Sequence, residues 1–595
     1  MNRNLILFFS CILIGGCSIL GVHFKIHNPH RAGKYPKKTV ARTLLGNQES
    51  KFRTCFDVQW YNLNVVFGND LSKDHSITGD CEIKILAISD FDTLQLDLAK
   101  NMKITNCGIN DLSGPKTSLG YFNYSDANYF RKEGAVFVCM PHHIHAGQSI
   151  FIEIAYAGEP TEAKRPPWKG GFVRKKDKLD QPWWGVACET EGASSWWPCK
   201  DVMNDEPDSV DIRYTVSSKW SAISNGKLVD VSENVKDPGE SMIWHWHVSY
   251  PINIYDITFY IGHFKLLHDT YYSEVTHDTL QLNHYVLEQN YDVAKTHFQQ
   301  LKKYLVFYET TFGPYPWYRD GFKLVESPYA GMEHQSAIAY GNGYHDDPRN
   351  GFDYIILHET AHEWWGNSVT ANDLADGWLH EGFATYTEAL YVESIKGHDA
   401  YVNYLLQYRL FIINRRPIVG EKGIRYFDYR DGDIYMKGAW VLHSLRYAIA
   451  NDSLFFDIIH SFYMENRYST ISSDKLEELV NRKTGQDYHW FFEQYLYNRF
   501  TPELEYCVKD GSVYYRWAKT AHQKFFMKPK IYFSGTTYFS TEQAYADPVQ
   551  SKALPTGSTG VTFNTSEFLY KVVENKELYG MYFPKTKKKS TNRSY

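Results

Sequence analysis

The chain has 595 residues, of which 43% are hydrophobic and 22% are charged, a balance that fits a globular protein. A chain of this length is too long for one hydrophobic core, and we expect about three or four domains. The net charge of −6 gives no general attraction to nucleic acid, which excludes the classes of protein that bind it through overall charge.

The first residues predict an exported protein. Arg3 precedes an apolar run from Leu5 to Ile14, and small residues lead from there to Cys17. This order is typical of a secretory signal peptide, which we place at 1–17. The residues before Cys17 also resemble a bacterial lipobox, whose cysteine is lipidated, although apolar residues continue to Leu20 and leave an uncleaved anchor open. We therefore predict a bacterial membrane-anchored lipoprotein, periplasmic or at the cell surface.

Hydrophobic periodicity divides the remaining chain into strand-like and helical stretches. From about Phe56 to Phe264 apolar and polar residues alternate, as strands require. From about residue 287 to Tyr497 apolar residues follow helical spacing, and Asp353 is the expected N-cap of one helix. Strand-like alternation returns after Phe500. The order is therefore β, then mostly helical, then a small β region.

The cysteines give no metal site or disulfide framework. Of nine cysteines, seven lie beyond the signal segment, and they are scattered and odd in number. Cys188 and Cys199 are close enough in sequence to pair, and buried thiols are an equal alternative.

The segment His358–His362 carries the chemistry, because it reads His-Glu-x-x-His and is followed by Glu381 after eighteen intervening residues. Two histidines four residues apart on a helix lie on one face, and the spacing allows a second helix to return a carboxylate. Two histidines and one carboxylate, with the fourth position left to water, are the ligands of a catalytic zinc. We predict one Zn²⁺ per chain held by His358, His362 and Glu381, although affinity order leaves other divalent metals open.

Glu359 lies beside that metal rather than on it. Zinc polarises a carbonyl group and lowers the pKa of its water to about 7. We therefore expect Glu359 to act as the general base that takes a proton from this water and passes it to the leaving amine.

Four motifs in order resemble the gluzincin aminopeptidases typified by aminopeptidase N and leukotriene epoxide hydrolase. The first is the metal motif itself. Ala330–His334 is similar to the exopeptidase motif GxMEN, and Tyr435–Ala439 is similar to YxKGA. Cys188–Ala193, followed by Trp196–Asp201, is similar to the segment that ends in PCxD. The resemblance covers residues 56 to 500.

The resemblance implies a multidomain α+β fold, with an N-terminal all-β domain, a thermolysin-like α/β catalytic domain and a small C-terminal β domain. With the pattern above it predicts this division: signal peptide 1–17, tether 18–45, N-terminal β domain 46–264, thermolysin-like zinc peptidase domain 265–498, C-terminal β domain 499–584 and basic tail 585–595.

The resemblance also implies how a substrate is held. Glu333 would bind the free α-ammonium, and Glu189 would be a second anchor, with Glu191 as the neighbour that competes for this assignment. A charge-assisted bond to the ammonium places the first peptide carbonyl on the metal. Gly331–Met332 would bind the substrate backbone as an edge strand. Tyr435 would donate a hydrogen bond to the oxyanion.

Two positions depart from the family motif, and a third lies beside a predicted metal ligand. The family usually has Asn where this chain has His334, and often Gly where it has Ala330. The first change affects how the N-terminal residue is held, and the second only trims space near the first side-chain pocket. We expect His380, which precedes Glu381, to lie either behind the metal ligands or on the surface, and not to bind the metal itself.

The leading functional prediction is a zinc metallo-aminopeptidase that hydrolyses the N-terminal bond of peptides with a free N-terminus. Alternatives are an epoxide hydrolase on the same site, a catalytically inactive peptide-binding protein, and a thermolysin-type endopeptidase, which should lack Glu333. Substrate length, the preferred first residue and the oligomeric state are left open.

Overall fold

The computed structural model describes residues 48–110, 125–423, 432–523 and 525–582. The predicted signal peptide, tether and basic tail lie outside these residues and stay predictions. Among the helices of the described residues, none combines the length and the apolar character that crossing a membrane requires.

The N-terminal region is built almost entirely from strands. Its elements are α1 (Lys51–Thr54), β1 (Phe56–Phe67), β2 (Ile77–Ala87), β3 (Phe91–Asp97), β4 (Met102–Asn110), β5 (Ser125–Asp126), β6 (Asn128–Lys132), β7 (Ala135–Ile144), β8 (Ser149–Gly158), β9 (Gly171–Lys176), β10 (Pro182–Ala187), β11 (Ser209–Ser217), β12 (Ser221–Ile223), β13 (Lys227–Glu233), β14 (Ser241–Val248) and β15 (Tyr260–Gly262).

These strands form three sheets. The largest has eight strands in the order β13-β14-β11-β1-β2-β8-β4-β5, and the others have the orders β12-β15-β10-β9 and β3-β7-β6. β1 runs parallel to β11 and antiparallel to β2. The predicted alternation is visible in β1, where residues such as Tyr61, Leu63 and Val65 are buried while their neighbours are partly exposed. These buried faces form one hydrophobic cluster with Trp196 and Trp197.

The middle region is mixed. Its elements are β16 (Phe264–Tyr272), β17 (Thr279–Leu287), α2 (Tyr291–His297), α3 (Leu301–Thr311), β18 (Leu324–Glu326), β19 (Gly331–Met332), β20 (Ile338–Tyr340), α4 (Tyr354–Ala361), β21 (Val369–Ala371), α5 (Trp378–Lys396), α6 (His398–Arg409), α7 (Asp433–Ile449), α8 (Asp452–Asn466), β22 (Ser469–Ile471), α9 (Asp474–Thr484), α10 (His489–Phe492) and the π-helical turn Glu493–Tyr497.

One five-stranded sheet of this region positions the site. Its order is β16-β17-β18-β20-β19, which leaves β19 at the end of the sheet. β19 runs antiparallel to β20, with Gly331 opposite Tyr340 and Met332 opposite Ala339. An end strand is the arrangement that the family resemblance implies for these two residues.

Strands return after the helices, as predicted. They are β23 (Glu503–Lys509), β24 (Ser512–Ala518), β25 (Lys530–Phe533), β26 (Phe539–Thr541), β27 (Gln550–Ala553), β28 (Val561–Phe563) and β29 (Lys571–Glu574), followed by α11 (Leu578–Tyr582). They form a sheet of order β27-β24-β23-β29 and a sheet of order β26-β25-β28. The predicted fold class, a multidomain α+β protein with an N-terminal β region and a mixed middle, is confirmed.

Contacts divide the chain into two compact units. The first comprises the described residues within Met1–Tyr391, Gly420–Asp431 and Ile459–Ser473, and the second those within Val392–Val419, Gly432–Ile458 and Asp474–Tyr595. The finer domain boundaries predicted from the sequence stay predictions. Cys188 and Cys199 are buried thiols in the structure, which is the second of the two alternatives.

Candidate metal centre and substrate site

The metal motif begins on α4, whose start is fixed by Asp353. The Asp353 carboxylate accepts hydrogen bonds from the backbone N–H groups of Ile355 and Ile356, which is the predicted N-cap. It also accepts from the Tyr340 hydroxyl at 2.7 Å and from Nδ2 of Asn342 at 2.8 Å. α4 ends at Ala361, so His362 caps its C-terminus while the two histidines keep their four-residue spacing.

The other ring nitrogen of each histidine is held by an acceptor. The Nδ1–H of His358 donates to Oε1 of Glu388 at 2.6 Å, and the Nδ1–H of His362 donates to the Trp365 carbonyl oxygen at 2.9 Å. An acceptor at Nδ1 fixes the tautomer that keeps a lone pair on Nε2. Both imidazoles are therefore prepared to bind through Nε2.

Three ligand atoms converge at one point. Nε2 of His358 lies 3.2 Å from Nε2 of His362, and Oε2 of Glu381 lies 3.2 Å from the first and 3.4 Å from the second. Zinc bonds of about 2.0–2.2 Å in a tetrahedral site separate neighbouring ligand atoms by about 3.3–3.6 Å. The chemistry of these three atoms and their spacing fit a Zn²⁺ ion between them.

The two neighbouring histidines determine the protonation state of Glu381. Burial acts to raise the pKa of Glu381, but hydrogen bonds and positive charge from His358 and His362, when these rings are protonated, hold it well below its usual range. Glu381 is therefore ionised. α5 carries both Glu381 and Glu388, two helical turns apart on one face, so a single helix supplies one ligand and the group that orients another.

Glu359 projects from α4 toward β19. Burial raises the pKa of Glu359 to about 8, against the opposing charges of His358 and His362. A Cβ atom built at Gly331 would overlap with the Glu359 carboxylate, so a side chain at this position of β19 would force that carboxylate to move. The end strand and the carboxylate are therefore in direct contact.

Glu333 follows β19 and is buried beside the metal ligands. One oxygen of Glu333 lies within 4.8 Å of ligand atoms of both Glu359 and His362. The Tyr255 hydroxyl donates to its Oε1 at 3.3 Å, and Nδ2 of Asn367 donates to its backbone carbonyl at 2.6 Å. Both partners come from distant parts of the chain and fix the residue in place.

Glu189 reaches the same place from the N-terminal region. It follows β10 in a turn closed by the Gly192 N–H, which donates to the Cys188 carbonyl at 2.5 Å. The turn is braced by Asp201, which accepts from the backbone N–H and the hydroxyl of Ser194. The segment ending in PCxD thus has a structural role, which is to order the loop that carries Glu189.

Glu189, Glu333 and His380 each place one ligand atom within 4.8 Å of the others. Burial raises the pKa of Glu189 well above its usual range, and the charges of Glu333 and Glu381 raise it further. Burial also raises the pKa of Glu333, against the charge of His362. A cationic group between the two carboxyls would remove this repulsion, so the arrangement is suited to an ammonium group.

The departures from the family motif are structural. His334 is fully buried, and its Nδ1 lies 2.7 Å from the hydroxyl of Tyr260, so its side chain braces the core. His380 is buried rather than on the surface, and its Nε2 accepts the Ala371 N–H at 2.7 Å, which leaves the proton on Nδ1. Ala330 is partly exposed.

The structure brings most of the predicted site residues together in the first unit: His358, His362, Glu381, Glu359, Glu333, Glu189, Gly331 and Met332. Tyr435 lies buried in the first turn of α7, in the second unit, and its role stays a prediction. Sequence reasoning missed Glu388, although its spacing from Glu381 on one helix was a usable signal. It also missed Tyr255 and Asn367, whose contacts join distant segments and leave no local pattern.

The fold and the ligand set define a metallopeptidase domain of the His-Glu-x-x-His class. Residues 296–495 match the family model described as "Peptidase family M1 domain". The resemblance to the gluzincin aminopeptidases is thus confirmed at the level of the family.

Curated relatives agree with this assignment. The chain is 26% identical over 271 residues to "Leucine aminopeptidase 2" of Neurospora crassa, covering 45% of this chain and 38% of the relative. It is 27% identical over 257 residues to "Endoplasmic reticulum aminopeptidase 1" of Mus musculus, covering 41% of this chain and 26% of the relative. The chain thus matches well under half the length of either relative.

Solved structures share the fold. A crystal structure of an M1 zinc metallopeptidase from Deinococcus radiodurans superposes with a TM-score of 0.60 at 21% identity, covering 75% of this chain and 94% of that one. A mutant of that protein with a bound Tyr-Ser-Ala substrate gives the same TM-score of 0.60 and covers 95% of that chain. At this identity the likeness concerns the fold alone.

Proposed function

We propose that this protein is a zinc metallo-aminopeptidase that releases the first residue of peptides with a free N-terminus. The observation that carries the proposal is the pair Glu333 and Glu189, two carboxyls facing one point beside the three metal ligands. Relatives named as aminopeptidases support the proposal, as does a peptide substrate bound to a protein of the same fold.

The proposed role of each residue follows from its position in the site. His358, His362 and Glu381 would hold one catalytic zinc, which polarises the scissile carbonyl and lowers the pKa of a water molecule to about 7. Glu359, buried beside them, takes a proton from the attacking water and delivers it to the leaving amine.

Glu333 and Glu189 determine which peptide bond of the substrate lies at the metal. A bond from each carboxylate to the α-ammonium fixes the N-terminal residue one residue's length from the metal. Gly331 and Met332, on an end strand, are available to bind the substrate backbone by strand addition. We also propose that Tyr435 donates a hydrogen bond to the oxyanion that forms during hydrolysis.

Export and lipid anchoring are a separate proposal that depends on the N-terminal segment. If Cys17 is lipidated, cells grown with a palmitate analogue will label the wild-type protein and not the Cys17→Ser variant. Labelling of both proteins would contradict the lipid anchor at this residue.

The enzymatic proposal is tested with aminoacyl p-nitroanilides that carry either a free or an acetylated α-amine. We expect hydrolysis of the free-amine substrates only, and loss of activity with a chelator. Glu333→Gln should lower kcat/KM by about 10–100-fold, because a charge-assisted bond to the ammonium is lost. The protein used would lack residues 1–17, and zinc content would be measured for each variant.

Two results would overturn the proposal. Equal activity on free and acetylated substrates would indicate an endopeptidase, because no ammonium would then be needed. No activity on any substrate with zinc bound would indicate a peptide-binding protein.

A further inference from the structure

A second group of histidines and carboxylates lies on the surface of the N-terminal region. Asp90 occupies the turn between β2 and β3, while His143 and His145 lie at the end of β7. β3 and β7 are paired, with Phe91 opposite Ile144, so the turn is brought beside the end of the strand. The register therefore places one carboxylate next to two imidazoles.

The ligand atoms of this group have the spacing of a metal site. Oδ2 of Asp90 lies 3.2 Å from Nδ1 of His145 and 3.4 Å from Nε2 of His143. The two rings are 4.9 Å apart at 75°, compared with 4.9 Å and 77° for His358 and His362. The 3.4 Å distance lies within the separation of about 3.3–3.6 Å expected between ligands of a tetrahedral zinc, and the 3.2 Å distance lies just below it.

Neighbouring groups contact two of these ligands and fix their orientation. Nδ1 of His143 lies 2.9 Å from Oδ1 of Asp92, and the Ala146 N–H donates to Oδ1 of Asp90 at 2.9 Å. Both ring nitrogens of His143 therefore face carboxylate oxygens. A neutral imidazole can donate from one nitrogen only, so the contact at the other nitrogen holds either a second ring proton or a bound metal ion.

We propose that Asp90, His143 and His145 bind a divalent transition-metal ion such as Zn²⁺, in addition to the catalytic ion. Imidazole with one carboxylate favours zinc, copper or nickel over calcium or magnesium, which prefer oxygen ligands alone. The site lies on the surface, so water completes the coordination. The competing occupant of the same space is a proton on His143.

The test is the zinc content of the full chain, purified without a histidine tag, equilibrated with Zn²⁺ and then freed of excess metal. Wild type is compared with the double variant His143→Ala/His145→Ala and with His142→Ala as the matched neighbour. The side chains of His143 and His145 are 47% and 66% exposed, so their removal leaves the core intact.

We expect the double variant to hold one zinc fewer per chain than wild type and His142→Ala. Asp92→Asn should weaken binding at this site by about 10–100-fold, because the acceptor on His143 loses its charge. Equal zinc content in wild type and the double variant would overturn the proposal and leave a proton as the cation. An equal loss in His142→Ala would also contradict it.

Discussion

At the scale of single residues, the metal centre depends on groups that never touch the metal. Glu388 accepts a hydrogen bond from His358, and the Trp365 carbonyl oxygen accepts one from His362. These acceptors fix the tautomer and the plane of each ring before a metal binds, which reduces the entropy lost on binding. Glu388 is therefore a positioning residue.

Glu388→Ala should weaken zinc binding by about 10–100-fold, because His358 loses the acceptor that orients it. Competition with a chromophoric chelator gives the affinity directly. Glu388→Gln keeps an oxygen acceptor, so its affinity for zinc should lie between those of Glu388→Ala and wild type. Unchanged affinity in Glu388→Ala would show that the rest of the site orients His358 without it.

The proposed second amine anchor, Glu189, can be distinguished from its neighbour Glu191 by mutation. Glu189→Gln should raise KM for free-amine substrates by about 10-fold or more, because one charged bond to the ammonium is lost. Glu191→Gln, in the same turn, should leave KM near that of wild type. The reverse result would assign the anchor to Glu191.

A buried carboxyl beside the site links stability to pH. Glu363 is fully buried, and burial raises its pKa to about 8 from 4.5, against the Ser336 N–H that donates to it. The folded protein therefore keeps this proton between pH 4.5 and 8 while the unfolded chain releases it. The stability that the neutral form contributes is complete below pH 4.5 and is lost as the pH rises through 8.

Glu363→Gln stays neutral at every pH and should gain stability relative to wild type as the pH rises. The gain between about pH 5 and pH 9 should be on the order of a few kcal/mol. Urea denaturation at both pH values gives the free energy of unfolding of each protein. A difference that is the same at both pH values would contradict the assigned pKa.

At the scale of elements, α4 is held in place by the contacts of Asp353, the residue that caps its start. Asp353 caps the helix and also accepts from Tyr340, Asn342 and Nε2 of His297, the last at 2.8 Å. One buried carboxylate therefore joins the metal helix to the end of β20 and to α2. The direction of α4, and with it the position of both histidines, depends on this residue.

Asp353→Ala should destabilise the protein by about 2–4 kcal/mol, since loss of a helix cap is accompanied by buried donors without an acceptor. Urea denaturation measures the change. Ser50→Ala removes the cap of the four-residue helix α1, whose single cap bond is 3.4 Å long, and should cost under about 1 kcal/mol. Equal losses in the two variants would contradict a special role for Asp353.

At the scale of the whole molecule, the candidate metal ligands lie in one of the two units. Every group of three or more metal-binding side chains found among the described residues lies in the first unit. A ligand that binds only the folded state stabilises the part of the chain that holds it. Zinc is therefore expected to stabilise the first unit and not the strands near the C-terminus.

Removal of zinc by a chelator should increase amide hydrogen exchange in α4 and α5 and leave it unchanged in β23 and β24. Zinc at about 100 times its Kd contributes about 2.7 kcal/mol, enough to slow exchange through local unfolding by about 100-fold. Mass spectrometry of peptides resolves the two regions. An equal change in both would show that metal binding is coupled to the whole chain.

Much of this organisation could be predicted because its signals are local. The metal motif needs only the pitch of a helix, Asp353 needs only its place before an apolar stretch, and β1 needs only alternation. Contacts between distant segments, such as Tyr255 with Glu333 and Asn367 with the backbone of Glu333, carry no local pattern and could not be predicted. The family motifs indicated Glu333 and Glu189, but only the tertiary structure shows that an oxygen of each lies within 4.8 Å of the other.

By itself the sequence determined the class of chemistry, because residue type and helical spacing decide which atoms can reach one metal ion. It also determined the order of β and helical regions, because hydrophobic periodicity follows the geometry of each element. Only the tertiary structure decided that His334 braces the core, that Glu388 orients His358, and that Asp90 meets His143 and His145 on the surface. These outcomes depend on strand register and on packing between distant segments, which no local stretch of sequence encodes.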